Sequence, residues 1–429
     1  MQKKQALVWF KNDLRVSDNA SLSCAIQENE FVVAAYFFDP RQFETSNYGF
    51  KKTAKYRTKF LIESIVELRQ NLEKINVTLL VYNDLPENII PNIVSENNIK
   101  TIYFQKEWTS DEVKIVENLR SKIDLSIEFK TVYDQFLFHP NDLPFELENL
   151  PNVFTQFRNK CEKTVSIRTE ITSISMSKIN LIENKTTIPT LKNLGFEDFE
   201  IDNRTAFPFL GGESQARKRL ENYFFETENL SLYKATRNGL IGSDYSSKFS
   251  PWLSNGCISA KTIYWEICKY EKKITKNEST YWLVFELIWR DYFKFISMKY
   301  GQKIFKIGGI LEKNYEWKTN KILIDKWING ETHEPFVNAN MIELKNTGFM
   351  SNRGRQNVAS YFSKNLLLDW RIGAAYFESL LIDFDVHSNY GNWMYLSGVG
   401  NDPRDRKFNI ELQATNYDPN NAYQNLWLK

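Results

Sequence analysis

Histidine and cysteine are too scarce and too scattered in this sequence to suggest a metal centre. His139, His333 and His387 lie far apart, and Cys24, Cys161, Cys257 and Cys268 contain no C-x-x-C pair, so zinc-ligand spacing and a redox dithiol are both lacking and no metal is expected. No apolar run approaches the roughly 20 residues of a membrane span. The apolar run that follows the basic start MQKKQ is far too short for a secretory signal, so the thiols are expected to be reduced and the protein cytoplasmic. Charge of one sign is not in excess: 55 Lys and Arg face 53 Asp and Glu, a net charge of +2. A surface for nucleic acid must therefore be local. Glycine is missing from the turn after the first apolar run, Lys11-Asn12-Asp13-Leu14-Arg15. That excludes a glycine-rich pyrophosphate loop or a P-loop at this point, and with it the usual dinucleotide site.

What is present is apolar and aromatic. Hydrophobic residues make up 42% of the 429, enough for sizeable cores in two domains, and 11 tryptophans contribute to a 15% aromatic content. Ala6–Phe10 and Phe31–Phe38 read as continuous apolar strands of a sheet buried on both faces. Lys55–Ile75 has helical spacing, Val77–Tyr82 reads as a strand, Pro86–Glu96 as a helix, Thr101–Phe104 as a strand, Ser110–Ser121 as a helix and Leu125–Val132 as the last strand. This alternation predicts an α/β domain over residues 1–135, built on an open parallel five-stranded sheet whose ligands sit beyond the carboxyl ends of its strands. Residues 136–210 lose periodicity, are interrupted by Pro140, Pro144, Pro151, Pro189 and Pro208, and read as a connector without chemistry of its own. Residues 211–429 are helical almost throughout and form an all-α domain, beginning with a helix over Ser214–Glu226.

The chemistry concentrates in Gly348–Trp393. Trp370, Ala374, Phe377 and Leu381 recur at helical spacing, followed by Asp383, Asp385 and Asn389 and preceded by Asn352, Arg353 and Arg355. Carboxylates beside core aromatics are costly unless paired or hydrogen-bonded. Arg355 can fork onto one of them, and a polar heterocycle can donate to them; the residue types leave open a buried structural ion pair at a helix end. Ser250 before Pro251 reads as a capped helix start, with Ser246, Ser247 and Lys248 just upstream, which is either an ordinary cap or an anion site. Gly256 can end that helix, and Ser259 can cap the next. Glu286 and Arg290 are four apart on one helix face, with Trp289 on the neighbouring face. They read either as a helical ion pair beside a core tryptophan or as a carboxyl and an indole that recognise a base.

These motifs resemble the photolyase/cryptochrome family. VWFKNDLRVSDNASL, FHPNDLPFELENLPNVFTQFRNK and SNRGRQNVAS with IDFDVHSNYGNW are most similar to its cryptochrome DASH branch, and the resemblance runs over nearly the whole chain. It implies FAD in the helical domain, held by Tyr233, Arg237, Ser246, Ser247, Lys248, Phe249, Ser250, Arg290, Asn352, Arg355, Asp383, Asp385 and Asn389, the last opposite flavin N5. It implies 5,10-methenyltetrahydrofolate as antenna in the α/β domain, contacted by Glu107. Glu286 and Trp289 are implied to contact a pyrimidine dimer, with Arg353, Gln356 and Tyr395 also at the DNA, and Trp393, Trp370 and Trp317 form an implied electron chain from flavin to surface. The implied activity is light-driven splitting of cyclobutane dimers by reduced FAD, mainly in single-stranded DNA, by a monomer without membrane attachment; duplex DNA or RNA are further candidate partners.

The sequence departs from the family at several points. Ser17 stands where the family often has His, Leu283 where classical photolyases tend to have Trp, Gln356 where the best-known bacterial type has Met, and Tyr395 where a Trp lines the dimer pocket. The last two agree with cryptochrome DASH and imply a looser grip on the dimer, which works against flipping it from a duplex. The end of the chain, YDPNNAYQNLWLK, falls where the family's catalytic core ends, and no signalling tail is expected. Two rivals remain at this level: a blue-light receptor that binds DNA without repairing it, and a dark flavin oxidoreductase, which the missing glycine-rich fingerprint disfavours.

Overall fold

The computed structural model describes residues 5–402 and 404–429. Its first part is a five-stranded parallel sheet, β1 (Gln5–Trp9), β2 (Phe31–Phe37), β3 (Thr78–Tyr82), β4 (Thr101–Gln105) and β5 (Glu128–Val132), in the order β3-β2-β1-β4-β5. The crossovers are α1 (Ala20–Glu28), α2 (Lys55–Lys74), α3 (Pro86–Glu96) and α4 (Ser110–Lys122). Strand side chains alternate between faces. Ala6, Val8, Val32, Ala34 and Tyr36 therefore pack with α1 and α2, and Leu7, Trp9, Val33, Ala35 and Phe37 pack with α3 and α4. This explains why the strands read as unbroken apolar runs. The last strand is shorter than the expected Leu125–Val132, because Asp124 closes a turn on Ser126 and Ile127. Helix α1, whose N-cap Asn19 accepts from the Leu22 amide, completes the alternation and was not apparent from periodicity.

The connector is not featureless. It contains α5 (Phe154–Thr164), with Phe154, Phe157 and Cys161 buried on one face. Elsewhere it clings to the sheet: the buried Asn180 amide bonds both the N–H and C=O of Val32 and the carbonyl of Asn76. A side-chain amide thus satisfies backbone groups where regular structure is absent.

The remainder is helical: α6 (Glu213–Glu221), α7 (Tyr233–Thr236), α8 (Ser250–Ser254), α9 (Ala260–Lys273), α10 (Glu278–Tyr300), α11 (Lys321–Asn329), α12 (Pro335–Thr347), α13 (Asn352–Ser360), α14 (Trp370–Leu380), α15 (Val386–Ser397), α16 (Ile410–Tyr417) and α17 (Ala422–Leu428). Beyond α6 the helix continues as a π turn over Asn222–Glu226, so the expected Ser214–Glu226 is one α helix followed by a wider turn. The 23-residue α10 is the longest; Asn277 and Thr280 close a capping box at its start, and Gly301 ends it. Among the described residues no helix is long and apolar enough to cross a membrane, and the four cysteines are free thiols.

Buried charges tie the two parts together. Arg15, in the turn after β1, pairs with Asp134 at 2.5 Å and donates to the Gly256 carbonyl at 3.0 Å. Asp18 accepts from Lys261 at 2.7 Å and from Ser259 at 2.6 Å, and Glu213 accepts from the amides of Val16 and Ser17. Gly256 has φ +76° and touches the turn directly: a Cβ there would lie 2.1 Å from the Asn12 carbonyl oxygen. Only glycine satisfies both conditions.

Removal of one partner from such a buried pair leaves the other charge uncompensated. Arg15→Ala is expected to lower unfolding stability by about 3–5 kcal/mol, read as a shift of the urea midpoint; a shift no larger than that of a surface Arg→Ala control would show that Asp134 finds another partner.

Candidate functional site

Helices α13, α14 and α15 surround a cavity of about 70 Å³ that opens to solvent. Each starts with a side-chain cap: Ser351 accepts from the Gly354 amide, Asp369 from Arg371, and Asp385 from Ser388. Asn352, Arg355 and Gln356 of α13, Phe377 of α14, Asp383 and Asp385 of the intervening turn, and Asn389, Asn392 and Trp393 of α15 all line the cavity. Its lining is mixed: Phe377, Leu381, Phe384 and Leu396 are apolar, and the rest are mostly polar.

Arg355 meets Asp383 with a single contact, Nη2 to Oδ2 at 2.9 Å, and its Nε goes to the Met350 carbonyl, so the pair is not a two-pronged fork. Asp383 Oδ1 is buried without a partner. Asp385 pairs with Lys294 of α10 at 2.6 Å. Burial raises its pKa, but Lys294 and then His387 outweigh burial and hold it well below the usual carboxylate range. His387 itself is pushed down to about 3, by burial and then by Lys294, so the ring is neutral. Its Nδ1 meets Ser297 Oγ at 2.7 Å, and Trp108 stacks on it with ring centroids 4.6 Å apart. Asn389 donates Nδ2 to the Ala374 carbonyl at 3.0 Å, which leaves its carbonyl oxygen as the acceptor for any other group.

The Ser246–Ser250 segment runs behind this cavity. Arg219 of α6 holds it by the carbonyls of Ser243, Ser246 and Ser247. Helix α8 has Phe249 as its N-cap residue with no side-chain cap, so Ser250 is not the cap its position before proline suggested; the chain enters the helix already in helical geometry. Gly256 follows α8 in left-handed conformation and Ser259 caps α9, as expected. Lys248 has φ +63° and a buried ammonium group without a hydrogen-bond partner, 3.1 Å from the Tyr245 ring centroid and 4.9 Å from that of Phe349. Burial drives its pKa well down, against the pull of Glu343. Arg355 lies over the other side of the same wall, 5.6 Å from the Phe349 ring.

Glu286 and Arg290 do not pair with each other. Glu286 bonds Arg237, beyond α7, and Arg290 donates to the carbonyls of Gln135 and Leu253 at 2.5 and 3.1 Å. Neither Arg290 nor Tyr233 and Arg237 line the cavity described above. Burial raises the pKa of Glu286 and Arg237 draws it back. Trp289 is stacked on Phe154 of α5, centroids 3.6 Å apart and planes 10° from parallel, so one ring face is already covered. Tyr395 meets it edge-on at 6.1 Å and is itself bonded by Arg406. Leu283 is in the core; the aromatic ring beside Arg237 is that of Trp282, one residue earlier, at 5.3 Å. Arg353 bonds Asn238 and lies over Tyr417.

Trp393 lines the cavity, and its six-membered ring lies 2.2 Å from where a Cβ on Gly373 would be, so glycine is needed for this approach. Trp370, three residues from Gly373 on α14, is fully buried and donates to the Ile307 carbonyl at 2.9 Å. Trp317 is partly exposed, next to Lys318, which pairs with Leu368 just before α14. The three indoles thus stand at three depths, Trp393 on the cavity, Trp370 in the core and Trp317 partly exposed.

Glu107 sits after β4 and accepts from Asn12, in the turn after β1, at 3.0 Å, with Lys11 at 3.5 Å. The sheet order reverses between β1 and β4, which is where open α/β sheets place ligands.

Sequence reasoning missed Lys294, His387 and Phe154. Lys294 carried a signal, a lysine between Phe293 and Phe295 on the long helix. A cation at a core position needs an anion, and Asp385 is that anion. Phe154 lay in the segment that had no visible period.

FAD fits the residues present. The cavity lining combines apolar and polar side chains, with Asp383 Oδ1 and Trp393 Nε1 buried and unsatisfied. The unpartnered Lys248 ammonium behind it suits an anionic group such as a diphosphate.

The family model described as DNA photolyase matches residues 6–175, and that described as FAD binding domain of DNA photolyase matches residues 282–429. Cryptochrome DASH from Synechocystis sp. is 46% identical over 98% of this chain and 87% of its own length, and cryptochrome DASH from Xenopus laevis is 46% identical over 98% and 81%. The crystal structure of the Synechocystis cryptochrome superposes with TM-score 0.95 at 46% identity, covering 100% of this chain and 89% of that one. An archaeal photolyase from Sulfolobus tokodaii, described with two FAD molecules, reaches TM-score 0.78 at 26% identity, covering 99% and 90%.

Glu343 of α12, behind the Lys248 wall, supplies a pH test. Its Oε2 accepts from Tyr423 at 2.6 Å while Oε1 has no partner. Burial raises its pKa from 4.5 to about 7, against Tyr423, Lys248 and Arg355. Below pH 4.5 folded and unfolded chains both hold this proton. Between 4.5 and about 7 only the unfolded chain releases it, so the group makes stability fall as pH rises. The loss amounts to at most about 3 kcal/mol. Glu343→Gln is expected to flatten that part of the slope in urea titrations of flavin-free protein at pH 5 and pH 8; parallel slopes in both proteins would contradict it.

Proposed function

The chain belongs to the photolyase/cryptochrome family and is a blue-light flavoprotein of that family; on that premise we propose that it binds nucleic acid and splits cyclobutane pyrimidine dimers, mainly in single-stranded DNA. The observation that carries this reading is the pair on α10. A carboxyl, Glu286, and an indole, Trp289, stand one turn apart and partly exposed on α10, the helix whose Lys294 pairs with the cavity-lining Asp385. Gln356 of α13 lines the cavity, Arg353 precedes it by one helix turn, and Tyr395 of α15 meets Trp289 edge-on.

FAD, when bound, supplies light absorption and one-electron chemistry. The chain's own residues do the rest. Asp383 and the Asn389 oxygen are acceptors for the polar edge of the ring, and Arg355 keeps Asp383 oriented. Asp385 and Lys294 neutralise each other and hold α15 against α10. Ser246–Ser250 with Lys248 take the anionic part of the cofactor. Glu286 hydrogen-bonds the dimer carbonyl, where negative charge develops, and Trp289 packs its uncovered face on the pyrimidines. Phe154 behind the indole limits it to that one face. Trp393, Trp370 and Trp317 divide the path from cavity to solvent into short steps for electrons that recharge the site. Glu107, at the switch point of the sheet, is the contact for a methenyltetrahydrofolate antenna.

A receptor that binds DNA without repair is the second reading. The bond from Arg237 to Glu286 favours it, because the carboxylate is engaged before any substrate arrives.

Illumination of the reduced holoprotein with dimer-bearing single- and double-stranded oligonucleotides, counting restored thymines, tests the repair reading; inertness on single strands favours the receptor. Glu286→Ala is expected to retain flavin and lower the yield of splitting, by at most roughly 10²–10³-fold.

Trp370→Phe is expected to keep fold and flavin, losing one hydrogen bond worth about 1 kcal/mol, and to block photoreduction by an external thiol. Dithionite-reduced Trp370→Phe should repair normally. Photoreduction at the wild-type rate in both Trp370→Phe and Trp393→Phe would mean that electrons take another route.

A further inference from the structure

A second recess adjoins the proposed dimer site and has no part in the roles above. Leu240, Ile241, Tyr417, Pro419 and Ala422, with Asn420 as a neutral polar member, line an open groove of about 240 Å³, with buried Tyr423 also in its wall. Ile241 is 51% exposed there. The groove's one carboxylate, Asp418, is consumed by the amides of Tyr423 and Gln424 and by the Gln424 side chain, so the walls are apolar and aromatic.

Positive charge stands at one side of the groove. The Arg353 guanidinium lies 4.5 Å from the Tyr417 ring centroid and donates to Asn238 at 3.2 Å. Its Nε is buried without a partner, and it has no carboxylate partner among the described residues. Arg237, next to Asn238 in the chain, is a second guanidinium whose charge acts on it. Arg353 also stands three residues from Gln356, which lines the flavin cavity. Tyr417 of the groove thus meets α13, the helix that carries Gln356, through Arg353.

An aromatic, apolar slot with an uncompensated guanidinium at its edge has the chemistry of one nucleotide: a ring face for the base, a cation for the phosphate. We propose that this groove holds the base of the nucleotide flanking the dimer in a single strand, with its phosphate at Arg353. This rests on the repair reading above and deepens it. In a duplex the flanking base is stacked and paired, and entry into the groove requires its extraction; in a single strand it is free. The groove thus adds affinity for single strands that duplexes do not gain.

Calorimetric titration of the holoprotein in the dark tests this, with a thymine dimer dinucleotide and with trinucleotides that carry a normal or an abasic flank on either side. On one side the normal flank is expected to bind about ten-fold tighter than the abasic flank. In Ile241→Glu that ratio falls toward one; Ile241→Ser and Tyr417→Leu serve if the charge disturbs folding, which circular dichroism and flavin content report. A ratio near one in the wild type, or an unchanged ratio in the folded variants, overturns the proposal and leaves the groove to another occupant. If damaged and undamaged trinucleotides bind alike, the repair reading fails by itself, and the base-over-abasic ratio on the undamaged strand still decides the groove.

Discussion

Asp385 both starts α15 and ties it to α10. Its Oδ1 accepts from the Ser388 amide and starts α15, and its Oδ2 takes the Lys294 ammonium of α10. The first contact sets the direction of the helix that carries Asn389 and Trp393. The second fixes that helix against the one that carries Glu286 and Trp289. Both charges are buried, so neither partner is tolerated alone. This ion pair therefore helps to keep the flavin cavity and the proposed substrate face in register, and the Ser388 amide that caps onto Asp385 lowers its cost in desolvation.

The same logic joins the sheet to the helices. The turn after β1 sends Arg15 and Asp18 across to Gly256, Ser259 and Lys261, and the segment after β4 sends Trp108 across to Ser297 and His387. Glu107 precedes Trp108 in the chain. The proposed antenna contact and the flavin helix are thus linked by one indole, stacked on a ring that neighbours Asp385. Loops beyond the carboxyl ends of parallel strands are the free surface of such a sheet, and here they meet the helical part.

The strands and crossover helices of the α/β part were legible because they are local. Continuous apolar runs mark strands covered on both faces, and α3 begins and ends at the predicted residues. Helix α1 and helix α5 were not legible, the first because its apolar stripe is short, the second because prolines on either side of it interrupt the pattern. Spacing also misled where it was read as pairing. Glu286 and Arg290 share a helix face, yet each finds a partner from a distant segment, because a charge at a crowded junction is satisfied by whatever group the fold brings within reach. The seryl hydroxyl before Pro251 failed as a cap for a similar reason: the preceding residue already has helical geometry.

Composition and periodicity by themselves determined the class of the fold, its burial pattern and the absence of a glycine-rich nucleotide loop near the start. Motifs that match a family pointed to the residues around the cavity. Tertiary structure alone decided which of those residues face one another. Arg355 with Asp383, Lys294 with Asp385, Arg237 with Glu286 and Phe154 with Trp289 are separated by 28, 91, 49 and 135 positions. The physical reason is that propensity and capping act over a helical turn or less, whereas desolvated charges and ring faces are satisfied across space, by partners whose proximity is set only when the helices pack.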